Sequence, residues 1–486
     1  MLHAPPDLTE VAAAAHARSI IDAASRTRLR ELFAGTADRF VHRSRERHGI
    51  VAIVARTGEL RHEELLALLQ FRTAQYLAVD MIDARTVHAA GAHHDPIEGV
   101  KPGDVHVIAG SPETGEIYAS LWARCMPDAP VGTTLRSAER PSISKEEIFG
   151  RGVYNHLRIL PDLPLTAIRD IGRFVKNHAL PPFGEASMLA PMEAVVALLH
   201  ALVGPLRREI HAVIGDVEDK VSDQHLDYFH VPTVLVRGVL PRAADDAWLY
   251  RRYLERCCYP YAAVMTDADA VARRLVEVEA ALELSARAAA RRLVALGRES
   301  ETSPSLLDAG TPLSKLMSVA LPQIGVPMAE RRRMIAFGEQ LRGLLQFASL
   351  SSPEATTLGR LMLRSEVADG DTFLSSGDEA LVVVEEGSAL TWVRFADGGM
   401  SAPREIGPGD VIGQVGLVTQ GACAEEARAR SPMVVRRLPS EAYRQLLADA
   451  VEVDRVIARD AASTLAAASN REQTVATGSG FRRLAG

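Results

Sequence analysis

Lysine is scarce in this sequence. Only Lys101, Lys145, Lys176, Lys220 and Lys315 occur among its 55 basic residues, and the other 50 are arginine. With alanine abundant beside them, this bias reads as codon usage, so an arginine by itself says little about function. Cysteine is scarce too. Cys125, Cys257, Cys258 and Cys423 form no Cys-x-x-Cys pair and no regular spacing, so neither a zinc site nor a disulfide framework is indicated. The opening "MLHAPPDLTEVAAAAHARS" lacks the basic region and apolar core of a secretory leader. No run approaches the roughly 18 apolar residues of a membrane span; the best, "AVVALLHALVGPL", reads as a buried helix. Positive charge is not in excess either: the net charge is −7, which argues against a nucleic-acid-binding surface. These absences predict a soluble, cytoplasmic protein with no membrane span and no nucleic-acid partner.

Of the 486 residues 47% are hydrophobic, enough for roughly two to four domains with real cores. Residues 8–47 carry helical spacing. From there strand-like and helix-like stretches alternate: "GIVAIVAR" (strand), "RHEELLALLQFRTAQYLAVDMI" (helix), "DVHVIAGSPETGEIYASLWARC" (a hairpin turning at Pro-Glu-Thr-Gly), "LTAIRDIGRFVKN" (strand), "MEAVVALLHALVGPLRREI" (helix), "HAVIGDVE" (strand), "DQHLDYFHV" (helix) and "TVLVRGVL" (strand). Such alternation predicts a mixed α/β sheet with flanking helices. Residues 268–298 read as helical, 299–312 as an exposed linker, and helix resumes from 313. Residues 360–438 change to short β runs cut by Gly-Asp and Gly-Gly turns, the pattern of a small antiparallel barrel or jelly roll. The predicted layout is a helical segment 1–47, an α/β domain 48–265, a helical connector and linker 266–334, a barrel with helices 335–470 and a flexible tail 471–486.

In the last quarter, Phe347 to Ser351, the Glu386-Gly387 turn and "GPGD" at Gly407–Asp410 stand in a fixed order. In that order they resemble the cyclic-nucleotide-binding domain family over roughly residues 335–465. The resemblance implies a ligand cassette at Gly413, Gln414, Val415 and Gly416. It also implies an arginine for the cyclic phosphate and a glutamate for the ribose. Here Gln414 stands at the glutamate position and Cys423 at the arginine position, with Glu425 and Glu426 close by. A carboxylate set against a phosphate costs free energy, and the guanidinium pair is missing. The expectation is a degenerate cassette with doubtful cyclic-nucleotide binding. A winged helix is not expected after the barrel.

In the α/β region, Phe71-Arg72-x-x-x-Tyr76, the pair Asp80 and Asp83, the hairpin ending in Arg124 and "IRDIGRFVKN" with Asp170 and Arg173 occur in sequence. Their order resembles the GNAT acyltransferase superfamily, closest to the autoinducer-synthase and N-acyl amino acid synthase branch, over residues 48–265. The resemblance implies transfer of a fatty-acyl group from an acyl-carrier-protein or acyl-CoA thioester to a small amine or amino acid. The candidate catalytic set is Asp170, Arg173, Arg72, Arg124, Asp80 and Asp83. Asp170 replaces the family's glutamate. The loop "HALPPFGEASMLAP" has one glycine, Gly184, and no Gly-rich pyrophosphate motif, which favours acyl carrier protein as donor. Asp170 and Arg173 are three apart, so they share a face only if a bulge, expected at Gly172, lies between them. His88, His93, His94 and Asp95 are dense in ligand types but loop-borne, and no metal site is expected. The chain is compatible with a homodimer. The rival reading is a non-catalytic scaffold or sensor in which both sites are degenerate.

Overall fold

Val51–Arg56 (β2) and Val105–Gly110 (β3) are near-continuous apolar runs, as strands buried on both faces must be. Period-two alternation divides them between two cores. Ala52, Val54, Val105, Val107 and Ala109 face one layer; Val51, Ile53, Ala55 and Ile108 face the other. The computed structural model describes residues 8–97, 99–218, 229, 231–236, 239, 241, 258–298, 313, 328–447 and 450–481. The side chains of Leu8, Arg173, Arg298, 328–332 and 470–481 lie outside that description. So do the linker 299–312, most of "DQHLDYFHV" and the end of "TVLVRGVL". The chain divides into two compact units, Met1–Val236 with Pro241–Leu306, and Leu307–Gly486 with Arg237–Leu240.

The first unit is a mixed α/β layer structure. Its eight strands run in the order β1-β2-β3-β4-β5-β6-β8-β7, with β1 His42–Arg43, β4 Ile117–Cys125, β5 Ile168–Lys176, β6 Ala212–Glu218, β7 Thr233–Leu235 and β8 Cys258–Val264. Every described pairing is antiparallel except β5 with β6. Helices α1 (Leu8–Arg26), α2 (Arg30–Phe33), α3 (His62–Ala78) and α4 (Ala84–Ala89) are the helices of the N-terminal part, and α1, α2 and α3 share a core with one face. The short α5 (Ser144–Phe149) precedes β5. The other face is covered by α6 (Glu185–Val203), α7 (Ala268–Leu282) and α8 (Ala286–Arg298).

Three differences from the sequence reading have clear causes. Helix α6 starts at Glu185, ahead of Pro191 inside it; only Pro191's missing N–H is lost, and the apolar surface holds the turns on both sides together. Among the described residues α6 is long and apolar enough to cross a membrane, but it is the core helix, mostly buried. Strand β8 was hidden by Pro260, which demotes a strand when read from sequence alone. Here Asp216 and Pro260 are register partners, and the Pro260 carbonyl accepts from the Val236 N–H. Finally, α7 and α8 are no connector: Val271, Leu275, Val278, Leu293 and Leu296 join the α6 core.

The second unit packs two four-stranded antiparallel sheets face to face, ordered β10-β15-β12-β13 and β14-β11-β16-β9. The strands are β9 Leu363–Val367, β10 Thr372–Leu374, β11 Ala380–Glu386, β12 Ala389–Arg394, β13 Arg404–Ile406, β14 Val411–Ile412, β15 Ala424–Ala429 and β16 Met433–Pro439. Strand β11 places Val382 and Val384 between the sheets, and Leu381 and Val383 against the helices α9 (Met328–Gly343), α10 (Ser352–Leu361) and α13 (Val451–Phe481). Two short helices, α11 (Gln414–Thr419) and α12 (Ser440–Leu447), lie between these elements in the chain. The last helix, α13, runs on to Phe481, past the point where a frayed tail is predicted.

One ionic knot ties the first unit together. Arg47, in the turn before β2, reaches Glu193 on α6 at 2.6 Å, Glu283 after α7 at 3.0 Å, and Glu279 on α7. The Arg47 and Glu193 side chains are 2% and 1% exposed. Removing one partner of a buried pair strands the other charge. Arg47→Met is therefore expected to lower the unfolding free energy of this unit by about 3–5 kcal/mol, measured by urea denaturation. A change below about 1 kcal/mol, the value of an exposed pair, would show that the knot is solvated.

Candidate functional site

The parallel pair β5–β6 is in register only from Ile168/Ala212 to Ile171/Gly215. Beyond that point β6 stays paired with β8 and parts from β5. A second irregularity adds to the divergence. Ser120 pairs with Val175 but Trp122 pairs with Gly172, so β5 carries one extra residue between Gly172 and Val175. The bulge predicted at Gly172 thus falls one step later, at residues 173–174. In the gap lies a cavity of about 720 Å³, within the range of small-molecule sites. Helix α6 lines it with Met188, Met192, Val195, Leu198, Leu199 and Leu202. The diverging strand ends add Phe174 and Lys176 from β5 and Asp216 and Glu218 from β6.

A buried polar cluster closes one wall. The Lys145 ammonium on α5 lies 3.3 Å from Asp170 on β5 and is in contact with Asp216 on β6, while the Ser144 hydroxyl donates to Asp170. Burial works against the Lys145 charge, but the two carboxylates outweigh it and hold its pKa above the ordinary value. Tyr154 and Tyr261 are pushed up by burial and by the same carboxylates, so both stay phenols. Gly215 is required here: a Cβ would come within 2.5–2.7 Å of the Tyr261 ring, which lies against β6. Helix α5 is itself fixed by Arg140 and Glu146, a bidentate pair at 2.5–2.6 Å with both side chains 1% exposed.

The candidate catalytic residues separate into groups. Arg72 is fully buried. It donates to the Leu121 carbonyl (3.2 Å), the Ser120 hydroxyl (3.3 Å) and His106 Nδ1 (3.1 Å). A guanidinium only donates, so Nδ1 accepts and Nε2 donates to Thr57 Oγ1 at 2.9 Å. That fits a His106 pKa driven well below its usual value by burial and then by Arg72. Arg72 and Arg124 stand over the Trp122 ring at 5.1 and 4.9 Å. Arg124 and Asp170 are register partners, yet the Asp170 carboxylate turns to Ser144 and Lys145. Asp80 is exposed in the turn after α3, and Asp83 caps α4 by accepting from the Arg85 N–H (3.3 Å) and the Thr86 hydroxyl (3.1 Å). The Arg173 side chain lies outside the described residues. Among the described residues no group of three or more His, Cys, Asp or Glu is placed to hold a metal. Lys145 and Asp216 were missed from sequence; the available signal was a lysine in a chain where arginine is the default cation.

In the second unit, the cassette Gly413–Gly416 opens α11. Gly413 has φ +91°, and a Cβ there would meet the Ala380 carbonyl oxygen at 1.9 Å, so only glycine fits. The amides of Gly413 and Val415 donate to one oxygen of the Glu425 carboxylate, at 2.7 and 3.3 Å. Glu425 is 2% exposed; burial raises its pKa and those two amides partly offset the rise. Gln414 donates to the Val411 carbonyl (3.2 Å) and to Asp460 on α13 (3.1 Å), which also accepts from Gln346 at 2.7 Å. Ala461, Leu465 and Ala468 of α13 belong to one small core with Val415, Val393 and Cys423. Glu426 is held elsewhere, accepting from Trp392 Nε1 at 2.9 Å and Arg394 at 2.6 Å.

A family model described as the cyclic nucleotide-binding domain matches residues 364–450. Those residues form a domain of the cyclic nucleotide-binding type. Solved structures similar to this part of the chain include a triple mutant of the regulatory subunit of a cAMP-independent protein kinase A from Trypanosoma brucei bound to cAMP in its A site (21% identical, covering 28% of this chain and 53% of that one, TM-score 0.24). The Thermus thermophilus catabolite activator protein is 22% identical, with 27% and 62% covered and a TM-score of 0.24. The sensor domain of the regulator DNR from Pseudomonas aeruginosa is 15% identical, with 27% and 90% covered and the same TM-score. The chain spans about half the length of the first of these. No curated protein matches it.

In this cyclic nucleotide-binding-type domain the cassette amides already hold a carboxylate from the same chain. Titration of the full-length protein with cyclic AMP and cyclic GMP in a calorimeter is expected to give no saturable low-micromolar binding, a free energy of about −8 kcal/mol. Saturation in that range would mean that Glu425 yields to a phosphate. The Glu426 carboxyl, held below its ordinary 4.5 chiefly by Arg394, contributes stability that is present above that pH and lost on acidification. Glu426→Gln should therefore destabilise the domain at neutral pH, with the difference from wild type closing as the pH falls through and below 4.5. A difference that stays constant with pH would contradict the assignment.

Proposed function

We propose that the first unit is a GNAT-type N-acyltransferase that moves a fatty-acyl group from a thioester carrier to a small amine or amino acid. The supporting observation is the apolar cavity of about 720 Å³ in the gap between β5 and β6. A fatty-acyl chain needs a long apolar volume, and α6 supplies one wall of it. A thioester arm is extended and carries amides, so it suits a strand edge that no other strand pairs with among the described residues. Residues 172–176 of β5 offer such an edge, because the register with β6 ends at Ile171. The bulge at 173–174 leaves backbone groups outside the ladder, where an N–H can meet the oxyanion of the tetrahedral intermediate.

In this reading the amine attacks the thioester carbon, the C–N bond forms as the C–S bond breaks, and a base takes the amine proton. Asp170 is enclosed by Ser144 and Lys145, so it acts at one remove rather than on the substrate. Helix α6 follows its N-cap Gly184 without a Gly-rich phosphate loop, which favours acyl carrier protein over coenzyme A as the donor. The cyclic nucleotide-binding-type domain would then act as a regulatory or docking module that needs no nucleotide. The enclosure of Asp170 and the interior use of Arg72 favour the rival reading, a non-catalytic scaffold.

The two readings separate in one assay. Purified full-length protein with palmitoyl-acyl carrier protein and a mixture of amino acids and amines is expected to yield N-acyl amides by mass spectrometry. Val195→Trp, which fills the cavity from α6, should abolish them while far-UV circular dichroism is unchanged. No amide product with either palmitoyl-acyl carrier protein or palmitoyl-coenzyme A would leave the scaffold reading standing.

A further inference from the structure

We infer that Glu425 is a neutral carboxylic acid in the folded domain, donating from Oε1 to the Gln414 amide oxygen, and that its ionisation unlatches α11 from α13. The cassette is then a proton-operated switch, whether or not the first unit is an enzyme. Two unmet acceptors carry the inference. Glu425 and Gln414 are each 2% exposed, and the Oε1 atom of each is buried without a hydrogen-bond partner among the described residues. Gln414 cannot remedy this by turning its amide over. Its Nε2 donates to the Val411 carbonyl and to Asp460, and an oxygen in that place would face two acceptors. Glu425 commits its Oε2 to the amides of Gly413 and Val415, the residues on either side of Gln414. A buried polar atom left unpaired is costly. Two acceptors gathered at the same three cassette positions lack one donor, and a proton on Glu425 supplies it.

The surrounding charges favour the acid. Burial raises the Glu425 pKa and Asp460 adds to the rise, while the Val415 and Gly413 amides and Arg404 of β13 oppose it. Arg404 is exposed. The other charged groups nearby are engaged. Glu426 holds Arg394 on the opposite face of β15. Asp378 pairs with Arg437 and Glu379 with Arg444, and Asp410 accepts from the Gly407 amide. Cys423 lies in the small core with Val415. Ionised, Glu425 keeps its unmet Oε1 and is repelled by Asp460, the residue that ties Gln414 and Gln346 to α13. Parting α11 from α13 relieves both, and loosens Ala461, Leu465 and Ala468 from Val415 and Cys423. The sequence isolates this titration. All 15 histidines lie at or before His230, ahead of the second unit's main segment Leu307–Gly486 and its strand of chain Arg237–Leu240. No side chain of that unit therefore has an ordinary pKa between about 5 and 8.

Hydrogen–deuterium exchange on the full-length protein, corrected for the intrinsic pH dependence of exchange, reads the latch in α11 and in the first half of α13. In the wild type the opening constant is expected to rise about tenfold per pH unit, the linkage of one proton. The rise starts at the ordinary carboxyl value of 4.5 and levels off at the higher value of the folded domain. Its sign follows from the raised pKa: the acid stabilises the closed latch at low pH, and that stability is lost as the pH rises. Glu425→Gln keeps a donor and an acceptor in the same places with nothing to ionise. Its opening constant should stay within about threefold between about pH 5 and 8, half a unit of the one-proton slope, and below the wild-type value at the upper end. A wild-type opening constant that is flat over this range would overturn the inference, and so would the wild-type slope persisting in Glu425→Gln. A variant more open than the wild type at neutral pH would show that a charged carboxylate holds the amides. If Glu425→Gln does not fold, Asp460→Asn decides: with the like charge removed the rise should level off at lower pH, and an unchanged profile would refute the switch.

Discussion

Strands β5 and β6 share a register over four residues and then separate, and the first unit is organised around that separation. Two neighbours draw the strands apart. Strand β6 follows β8 through seven register pairs, from Ala212/Val264 to Glu218/Cys258, while β5 follows β4 across a bulge. The gap leaves an apolar volume under α6 that no side chain of the described residues fills. Just before it, on the still-paired end, Asp170 of β5 lies close to the start of the divergence and Asp216 of β6 just past it. Two carboxylates so near each other require a cation between them, and Lys145 on α5 supplies it. The Arg140–Glu146 pair that holds α5 is thus part of the same construction.

The second unit solves a related problem in a different way. A short helix beginning at a left-handed glycine presents free amides, and here they are met by the buried Glu425. Glu425 and Glu426 are adjacent on β15 and therefore point to opposite faces. One goes inward to the cassette amides and the other to Trp392 and Arg394. Asp460 then links the cassette's Gln414 and the upstream Gln346 to the final helix. Glu426 is paired within the domain, whereas Glu425 is held through one oxygen by the cassette amides and its Oε1 has no hydrogen-bond partner among the described residues.

Much of the architecture was legible in order and type. The alternation in β2 and β3, the β3–β4 hairpin, β5, β6 and the barrel texture all follow from period-two patterning and turn residues. What escaped notice was masked by a local rule that tertiary packing overrode: Pro260 inside β8, Pro191 inside α6, and the helices α7 and α8, whose apolar faces showed no partner until α6 was in place. The resemblance-based catalytic set was only partly assembled. Arg72 and Arg124 meet at Trp122, Asp83 is a helix cap, and Asp170 is bound inside a cluster.

The sequence by itself determined the division into an α/β unit and a β-sandwich unit, since hydrophobic period and turn chemistry are local properties. It also placed Gln414 and Cys423 at the positions where the resemblance implies a glutamate and an arginine, with Glu425 and Glu426 close by. Tertiary structure alone decided which charges meet. Lys145 and Asp216 are 71 positions apart, and Gly413 and Glu425 are brought together by a turn of the cassette helix and the return of β15. Such contacts depend on sheet order, register and a one-residue bulge, and a shift of one residue in any of them turns the side chain to the other face.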